Sequence, residues 1–462
     1  MLAFFYLVSD FMWTYFVITL LVGCALYFTW HLRGIQFTRL GEMFRLFKPS
    51  AKGLGTREKK ISSFQAFAVG LSSRVGTGNL AGVSSAIFIG GPGAVFWMWV
   101  MALLGASTAF MESTLAQLYK RRGSDSFYGG PAYYMRYGLH RPWMGVLFAF
   151  FIIFGFGVAN QILQSNTLCD ALGMAFHLNP SYVAVGLMLL TLLIVFGGIH
   201  RIARFAAVVV PFMAVGYILL ALYILIANIQ HVPAMLGLIV RSAFGMEPAV
   251  GGMVGMAVMQ GVKRGLFSNE AGEGSAPNAA ATATVSHPVK QGFLQAFGVY
   301  MDTLVICTCT AFIVLLSGLY QGGDDGIILT SRALEYHLGS LGSWFLVAAI
   351  FLFAYSTIIA NYFYGEANVR FLCRGRWPIL LFRLLTGLFV LLGGFMTLQQ
   401  AWSIVDLAMA LMTILNLVAV TLLSRWAFRL AKDYLGQRRE GRDPEFHRSQ
   451  LPEIAQDLDA WE

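Results

Sequence analysis

The sequence predicts an all-α, polytopic membrane protein with about eleven transmembrane helices. Hydrophobic residues make up 57% of the 462 residues and charged residues only 12%, whereas an ordinary soluble domain carries about 25% charge. The 49 glycines suit helices that approach each other closely in lipid. The net charge of +9 is concentrated in a few segments between apolar runs. We therefore interpret it as a topology signal in a lipid bilayer, with no nucleic acid as partner.

The apolar runs fall into one separate span and two sets of five. A first span, 12–30, and a basic loop form the N-terminal part, 1–61. A first repeat occupies 62–228 and a second 250–424, and a tail predicted to be partly disordered follows at 425–462. The predicted spans of the two repeats are 62–89, 94–118, 143–165, 181–198 and 205–228, then 250–285, 291–318, 342–366, 378–395 and 400–424.

Segments that are poor in lysine and arginine alternate with segments that are rich in them, and this alternation predicts the orientation of the chain in the membrane. The loop 31–61 is rich in them and is predicted to be cytoplasmic, so the N-terminus lies outside and the C-terminus inside. The first span has no basic segment before it and no cleavage motif, and we interpret it as a retained helix. The basic residues of that loop are Arg33, Arg39, Arg45, Lys48, Lys52, Arg57, Lys59 and Lys60.

Two predicted spans are interrupted by glycines. Residues 72–79, with Gly76 and Gly78, separate two apolar runs that are each too short to cross a bilayer. A second interruption lies near 261–278. Unpaired backbone groups are costly in hydrocarbon, so each break must be buried in protein or face a water-filled site. Since five spans lie in each set, the repeats have inverted topology, and broken helices at corresponding positions indicate a transporter's binding site.

Four motifs in order resemble the alanine/glycine:cation symporter family, also called sodium:alanine symporters. They are 75–83 (VGTGNLAGV), 90–99 (GGPGAVFWMW), 264–272 (RGLFSNEAG) and 353–358 (FAYSTI). The similarity runs from about residue 60 to 425. It implies a leucine-transporter-like fold of five-plus-five inverted repeats, in which the first and sixth core helices are discontinuous. It also implies cation-coupled uptake of small neutral amino acids.

Two residues depart from the pattern of that family. Glu273 stands between Gly272 and Gly274, where many relatives carry an apolar residue. Asn361 stands where many carry Trp in a span that borders the substrate in the family fold. A smaller, polar Asn would enlarge the pocket or add a hydrogen-bond partner.

The breaks and the resemblance together predict the site residues. Oxygen donors suit an alkali cation, and free N–H groups at a half-helix N-terminus attract a carboxylate. The alternatives are a tight small-residue helix crossing at the first break, an interhelical hydrogen bond for the glutamine and back-bonding for the hydroxyls. The predicted cation ligands are Gly76, Asn79, Ser356 and Thr357. The predicted substrate contacts are Thr77, Gly78, Asn79, Gln164, Phe267, Asn269 and Asn361.

Charged residues within spans need a partner or water. We expect Arg74 to pair with an acid and to gate the inner pathway, and Glu270 to pair with Lys263 or Arg264. Further such charges are Glu112, Asp302, Glu366 and Asp406. The histidines at span ends or in loops are interpreted as solvated: His177, His200, His231, His287 and His337.

The sequence and the resemblance predict a Na⁺-coupled symporter that imports small neutral amino acids, such as alanine and glycine, across a prokaryotic plasma (inner) membrane. H⁺ or Li⁺ in place of Na⁺ stays open, as do glutamine and D-isomers as substrates. The alternative is an amino-acid sensor derived from a transporter, although the tail is too short for a folded signalling domain. We do not expect an enzyme, because no catalytic motif is present.

Overall fold

The computed structural model describes residues 8–47, 61–123, 126–246, 254–373 and 375–462. Lys48, Lys52, Arg57, Lys59 and Lys60 of the predicted basic loop lie outside these residues, as do the first residues of the predicted span 250–285. The described chain is helical apart from one small hairpin, in which β1 (Arg121–Arg122) pairs antiparallel with β2 (Phe127–Tyr128).

The helices are numbered in chain order. They are α1 (Val8–His31), α2 (Ile35–Thr38), α3 (Leu40–Phe47), α4 (Ser63–Arg74), α5 (Val83–Gly90), α6 (Gly93–Leu118), α7 (Pro131–Tyr137), α8 (Pro142–Phe176), α9 (Pro180–Val195), α10 (Gly198–Ala227), α11 (Val232–Ala243), α12 (Val254–Asn269), α13 (Ala276–Ala280), α14 (Val289–Ser317), α15 (Gly326–Leu338), α16 (Ser340–Leu372), α17 (Arg376–Gly393) and α18 (Leu398–Arg439).

Eight of the described helices are long and apolar enough to cross a membrane: α1, α6, α8, α10, α14, α16, α17 and α18. The other three predicted spans correspond to α9, which has 16 residues, and to two broken helices. The total of eleven spans and the repeat arrangement therefore stay predictions. Tryptophans at four ends are largely exposed, as expected for membrane-interface anchors: Trp30, Trp143, Trp344 and Trp377.

The first predicted break is present between α4 and α5. The helix α4 begins with a capping box, in which Ser62 Oγ accepts from Gln65 N–H (3.2 Å) and Gln65 Oε1 accepts from Ser62 N–H (3.0 Å). It ends at Arg74, because Val75 has a non-helical ψ of 88°. A π-helical turn, Gly78–Gly82, then leads into α5. Residues 66–87 are all buried, so the break lies inside the protein.

The second predicted break is present between α12 and α13. After Asn269 the backbone turns left-handed at Glu270 (φ 56°), at Gly272 (φ 96°) and at Gly274 (φ 80°). Glycine adopts this conformation readily, whereas it is uncommon for a glutamate. The break therefore begins at a residue that its surroundings must hold in place. In the second broken helix the longer half comes first in the chain, whereas in the first Ser63–Arg74 and Gly78–Gly90 are of nearly equal length.

Other π-helical turns lie inside long helices. One occupies Gly155–Ala159 in α8, and another occupies Tyr300–Cys307 in α14. Each widens the helix locally, and π turns are frequent at functional sites. The first lies shortly before Gln164, a predicted substrate contact, and the second contains Asp302, one of the charges within predicted spans.

Several segments predicted as connections contain helices. The outer segment 229–249 includes α11, and the segment between α14 and α16 includes α15. The predicted inner connection 120–142 folds into the β1–β2 hairpin and α7. These additional helices and strands are too short to cross a membrane, and their residues are partly buried against the spans.

The prediction of a partly disordered tail is wrong. The helix α18 continues to Arg439, and the chain after it packs against the helix ends. Phe446, Leu451, Leu458 and Trp461 are all buried. The polar composition of the tail concealed these regularly spaced apolar anchors.

The helix α6 lies at the centre and is approached closely by glycines. A Cβ built on Gly261 of α12 would lie 2.5 Å from Ala94 O of α6. We therefore expect Gly261→Ala to destabilise the fold by about 1–3 kcal/mol through overpacking. Gly216→Ala is the matched control, since no atom lies within 4 Å of that Cβ. Thermal unfolding in detergent checks this, and equal melting temperatures for the two variants would contradict the close crossing.

Candidate functional site

At the first break, side chains from elsewhere bind the backbone that the helix leaves free. Gly76 N–H donates to Asn79 Oδ1 (2.8 Å), and Thr77 N–H donates to Gln164 Oε1 (3.0 Å) of α8. Thr77, Asn79 and Gln164 are fully or almost fully buried. The predicted residues Gly76, Thr77, Asn79 and Gln164 are thus brought together. Asn166, two residues further along α8, instead donates to Gly393 O and Met396 O.

An oxygen cluster joins the first break to α16. Thr357 Oγ1 lies 2.9 Å from Ser72 O, 3.2 Å from Val75 O and 3.0 Å from Phe353 O. A hydroxyl has one hydrogen to donate, so it cannot satisfy three carbonyls at once. The cluster therefore has more acceptors than donors, which suits a hard cation.

Ser356 belongs to the same cluster. Its hydroxyl lies 3.0 Å from Phe353 O, and its own carbonyl accepts from Ser72 Oγ at 2.9 Å. Sequence reasoning identified the two hydroxyls of α16 but missed the carbonyls of Ser72, Val75 and Phe353. Backbone oxygens carry no residue signature. The position next to the break could have indicated Ser72 and Val75, and the helical spacing of four residues before Thr357 could have indicated Phe353.

Asn79 turns away from this cluster toward α14. Its Nδ2 donates to Asp302 Oδ1 (2.7 Å) and lies 3.3 Å from Cys307 Sγ. Ser268 Oγ and Thr303 Oγ1 donate to Asp302 Oδ2 at 2.7 and 2.8 Å. The predicted cation ligands are thus divided between two neighbouring oxygen centres. The carboxylate of Asp302, which the sequence singled out only as a charge within a span, is at the centre of the second.

Asn269 lies at the end of α12 beside the second centre. Its Nδ2 donates to Thr303 Oγ1 (3.3 Å), and its Oδ1 accepts from Ala271 N–H (3.0 Å). The side chain therefore binds part of the backbone that the second break exposes. Its predicted contact with a substrate stays a prediction.

Phe267 and Trp402 cover Gly78. A Cβ on Gly78 would lie 2.8 Å from the Phe267 ring, and the Phe267 and Trp402 rings meet edge to face at 4.7 Å. The guanidinium of Arg264 lies 3.8 Å from the centre of the Trp402 ring. These side chains close the break on the side toward which α5 runs.

The expected pairing of Glu270 with Lys263 or Arg264 is wrong. Both basic residues bind Asp406, at 2.8 and 3.2 Å. Glu270 lies beyond the turn at Asn269 and accepts instead from Ser73 Oγ and from Ser275 Oγ (2.5 Å). The left-handed backbone at Glu270 directs this side chain away from α12.

Asn361 lies against the same serine. Ser73 Oγ is 2.7 Å from Asn361 Oδ1, and Asn361 Nδ2 has no hydrogen-bond partner among the described residues although Asn361 is fully buried. Rotating the amide would place Nδ2 on Ser73 Oγ and leave Oδ1 free. In either orientation one polar atom of Asn361 stays available for a ligand. A buried polar atom left unpaired is costly, and the predicted substrate contact of Asn361 stays a prediction.

The second break is held by α6 and α18. Glu112 Oε1 accepts from Gly272 N–H (3.2 Å), and Glu112 Oε2 accepts from Asn416 Nδ2 (2.8 Å). Asn416 Nδ2 also lies 2.9 Å from Gly272 O. Glu273, the departure from the family pattern, is buried with Oε1 unpaired.

The expected ion pair of Arg74 is absent from the described residues. Arg74 Nη1 donates to Gln295 O (3.0 Å), while Nε and Nη2 have no hydrogen-bond partner there. The guanidinium is nevertheless the nearby cation for four buried carboxyl groups at the breaks: Glu112, Glu270, Glu273 and Asp302. The charge of Arg74 therefore acts on these carboxyl groups from a distance. Glu366 pairs instead with Arg370 and Arg383 on the far side of α16.

The interpretation of the histidines as solvated is correct for two of them and wrong for His287. His177 and His231 are exposed. His287 is buried, and its Nε2 lies 3.1 Å from Asp433 Oδ2. His337 Nε2 lies 3.0 Å from Ile313 O. His287 joins the inner helix ends to the last helix and is therefore part of the packing.

Residues 1–448 match the model of the sodium:alanine symporter family. The chain belongs to this family. It is 46% identical over 454 residues to the amino-acid carrier protein AlsT of Bacillus subtilis (strain 168), covering 98% of this chain and 96% of AlsT. It is 47% identical over 447 residues to the probable sodium/glutamine symporter GlnT of the same strain, covering 96% of this chain and 92% of GlnT.

The fold of this chain is similar to that of a solved transporter structure. The crystal structure of MhsT in complex with L-phenylalanine superposes with a TM-score of 0.54 and 17% sequence identity, covering 87% of this chain and 93% of MhsT. The predicted leucine-transporter-like fold is thereby confirmed. The chain is an amino-acid transporter and not an enzyme, and a multi-pass protein of the bacterial plasma membrane. These similarities give no support to the sensor alternative.

Gly76 tests the geometry of the first break. A Cβ there would lie 3.0 Å from Gln164 Oε1 and still closer to Thr357 Oγ1. We expect Gly76→Ala to lower the initial rate of amino-acid uptake about tenfold or more, since the added methyl group displaces both side chains from the break. Gly82→Ala, on the same broken helix, is the control because its Cβ would meet only Trp402 at 3.7 Å and Thr77 O at 3.9 Å. Equal uptake by the two variants, at equal amounts in the membrane, would contradict this role.

Proposed function

We propose that the protein is a Na⁺-coupled symporter that imports small neutral amino acids, such as alanine and glycine. The observation that supports this most directly is the Thr357 hydroxyl with three carbonyl oxygens within 3.2 Å. A cation at this point would resolve the excess of acceptors. It would also tie the unwound backbone of the first break to α16.

Ser356 and Thr357 supply the side-chain oxygens of this cation position. The carbonyls of Ser72, Val75 and Phe353 complete an all-oxygen set, which is the ligand type that hard cations take. Gly76 allows the first break to approach α16 closely, because only a residue without a Cβ leaves room for the Thr357 hydroxyl.

Asn79 contributes through the neighbouring centre at Asp302. A buried carboxylate needs a positive charge or a proton. Among the described residues, the hydrogen bonds to Asp302 come from three neutral donors, Asn79, Ser268 and Thr303. The charge of Arg74 is shared with three other buried carboxyl groups. A second cation beside Asn79 and Asp302 would supply the positive charge that Asp302 needs. A proton on Asp302 would do the same, which leaves H⁺ as the alternative coupling ion.

The substrate lies between the two breaks in this proposal. Its carboxylate binds near the first break at Thr77 and Gly78, beside Gln164, whose Oε1 accepts from Thr77 N–H and so keeps this backbone in place. Its ammonium group binds near the carbonyls and Asn269 at the second break. Phe267 forms the apolar wall, and the free amide atom of Asn361 faces the polar end of the site. A small neutral amino acid matches this combination of donors, acceptors and one apolar wall.

Ion and substrate are coupled through the cost of ordering the breaks. A cation bound between α16 and the first break fixes backbone that the substrate also contacts. The substrate then binds to a site that is already ordered, a coupling of about 1–3 kcal/mol in typical cases. Alternating access follows from rocking one bundle against the other around this site. In the proposed orientation the N-terminus is outside and the C-terminus is cytoplasmic.

The cation position is tested in proteoliposomes with labelled alanine. Wild-type uptake is expected only with an inward Na⁺ gradient. Thr357→Ala and Asn79→Ala should each raise the Na⁺ concentration for half-maximal uptake about tenfold, the effect of losing one good contact of about 1–1.5 kcal/mol.

Thr386→Ala is the matched control for the Thr357 variant. Thr386 Oγ1 also donates to the carbonyl four residues earlier, Phe382 O at 2.9 Å, but it meets no broken helix. It should leave the Na⁺ dependence unchanged. Uptake by the wild type without any gradient of cations, or unchanged Na⁺ dependence in both site variants, would refute the proposal.

Asn361 is expected to determine which side chains the site accepts. GlnT is named a probable sodium/glutamine symporter, so glutamine belongs in a competition panel with alanine and glycine. Asn361→Ala removes the amide and leaves the site wider, so size does not exclude glutamine but its polar partner is lost; glutamine competition should weaken about tenfold while alanine competition changes less than about threefold. Asn361→Trp should exclude glutamine by size. Parallel losses for glutamine and alanine in the alanine variant would mean that Asn361 does not set selectivity.

A further inference from the structure

The tail, residues 440–462, lies across the inner end of the helix bundle, where α4 begins and α6, α13 and α18 end. Ile454 and Leu458 face inward with Phe446, Leu451 and Trp461, and all five are buried. The ion pairs of the tail are more exposed, such as Arg429 with Glu453 at 2.7 Å, and exposed pairs contribute little. The apolar anchors therefore hold the tail in place.

Trp461 caps the end of α6. Its Nε1–H lies 3.1 Å from Gln117 O and 3.2 Å from Leu118 O, which are among the carbonyls that a helix end leaves unpaired. Its ring lies 4.6 Å from Lys120 Nζ, and the Phe127 ring lies 4.2 Å from the same atom. The Lys120 ammonium is thus enclosed between two aromatic rings.

Gln117 and Lys120 in turn hold the end of the second broken helix. Gln117 Nε2 donates to Ala280 O and to Ala283 O (3.1 Å), and Lys120 Nζ donates to Ala283 O at 3.0 Å. Lys120 Nζ also donates to Gln117 Oε1 at 2.7 Å, so the two side chains act as one unit. The tail residue Trp461 therefore covers the group that binds the inner half-helix α13.

A second attachment binds the segment that follows α13. Phe446 N–H donates to Ser286 O (2.9 Å), and Ser286 Oγ donates to Pro444 O (2.8 Å). Lys290 Nζ lies 2.7 Å from Asp443 Oδ2. The segment 283–290 is thus fastened to the tail on one side and to α6 on the other.

The same segment joins the two broken helices. Thr284 N–H donates to Ile61 O (3.0 Å), directly before α4 begins. Ile61, Ala66 and Ala283 form a small buried apolar cluster between the inner halves. Separation of α4 from α13 at this cluster would open a route for water from the inner end to the breaks.

We propose that the tail is a latch on the inner pathway, with Trp461, Lys120 and Gln117 as positioning residues for α13. Opening toward the inner side has to break the contacts of Trp461 or carry the whole tail along with α13. The latch thereby favours the inward-closed state. This inference rests on alternating access in a transporter, and it is independent of the coupling ion and of the substrate.

The latch predicts a change in solvent access to the cluster between α4 and α13. Ala66→Cys places a small thiol in this cluster, in a Cys373→Ser background that removes the exposed natural cysteine. Its rate of labelling by a water-soluble maleimide is measured on purified protein, with the background lacking Ala66→Cys subtracted. Adding Trp461→Ala is expected to raise the rate about tenfold, because the population of inward-open protein rises by that factor.

Three further variants separate a latch from general loosening of the fold. Trp461→Phe keeps a ring over Lys120 and should restore most of the slow labelling. Gln456→Ala alters an exposed tail residue and should change nothing. Gly261→Ala destabilises the distant α6–α12 crossing and should not speed labelling. The proposal is overturned if Trp461→Ala labels no faster than Gln456→Ala, or if Gly261→Ala speeds labelling equally.

Discussion

Two stretches of unwound backbone inside the protein need hydrogen-bond partners, and the rest of the structure is arranged to supply them. In hydrocarbon such groups have no water to bind, so other helices must supply their partners. Gln164 of α8 does so at the first break, and Glu112 of α6 and Asn416 of α18 do so at the second. Each of these helices is therefore tied to a break by a specific hydrogen bond as well as by packing. The same partners keep the exposed backbone in a shape that can receive an ion and a zwitterion.

The breaks could be predicted from the sequence because their signal is local. Paired glycines in an apolar run mark each one, and the structure interrupts the helix after Arg74 and after Asn269. The hydroxyls of Ser356 and Thr357 were also identified, since a polar pair in a span has few uses. The long apolar helices followed from composition. Local signals, together with the family resemblance, thus sufficed for the fold class and for the two hydroxyls of the oxygen cluster.

The partners of buried charges could not be predicted, because they depend on which helices meet. Glu270 lies only six residues after Arg264, yet the left-handed turn directs it to Ser73. The position of Asp302 at the centre of a hydrogen-bonded cluster becomes visible only when α14 brings it to Asn79 and Ser268. The burial of His287 and the order of the tail arise from contacts more than a hundred residues apart in the chain. No local pattern encodes such distances.

The π-helical turn at Gly155–Ala159 bears on how this scaffold can diversify. It immediately precedes Gln161 and Gln164 and holds one residue more than an α-helical turn needs. A π turn takes up its extra residue within about one turn around the helix axis. Losing a single codon there would let the helix relax to α while Gln164 stayed on its side of the helix, next to Thr77. An insertion or deletion in the regular α-helix beyond it would instead rotate all later residues by about 100° around the axis. Changes in length are therefore tolerated at this one turn and disruptive one turn later.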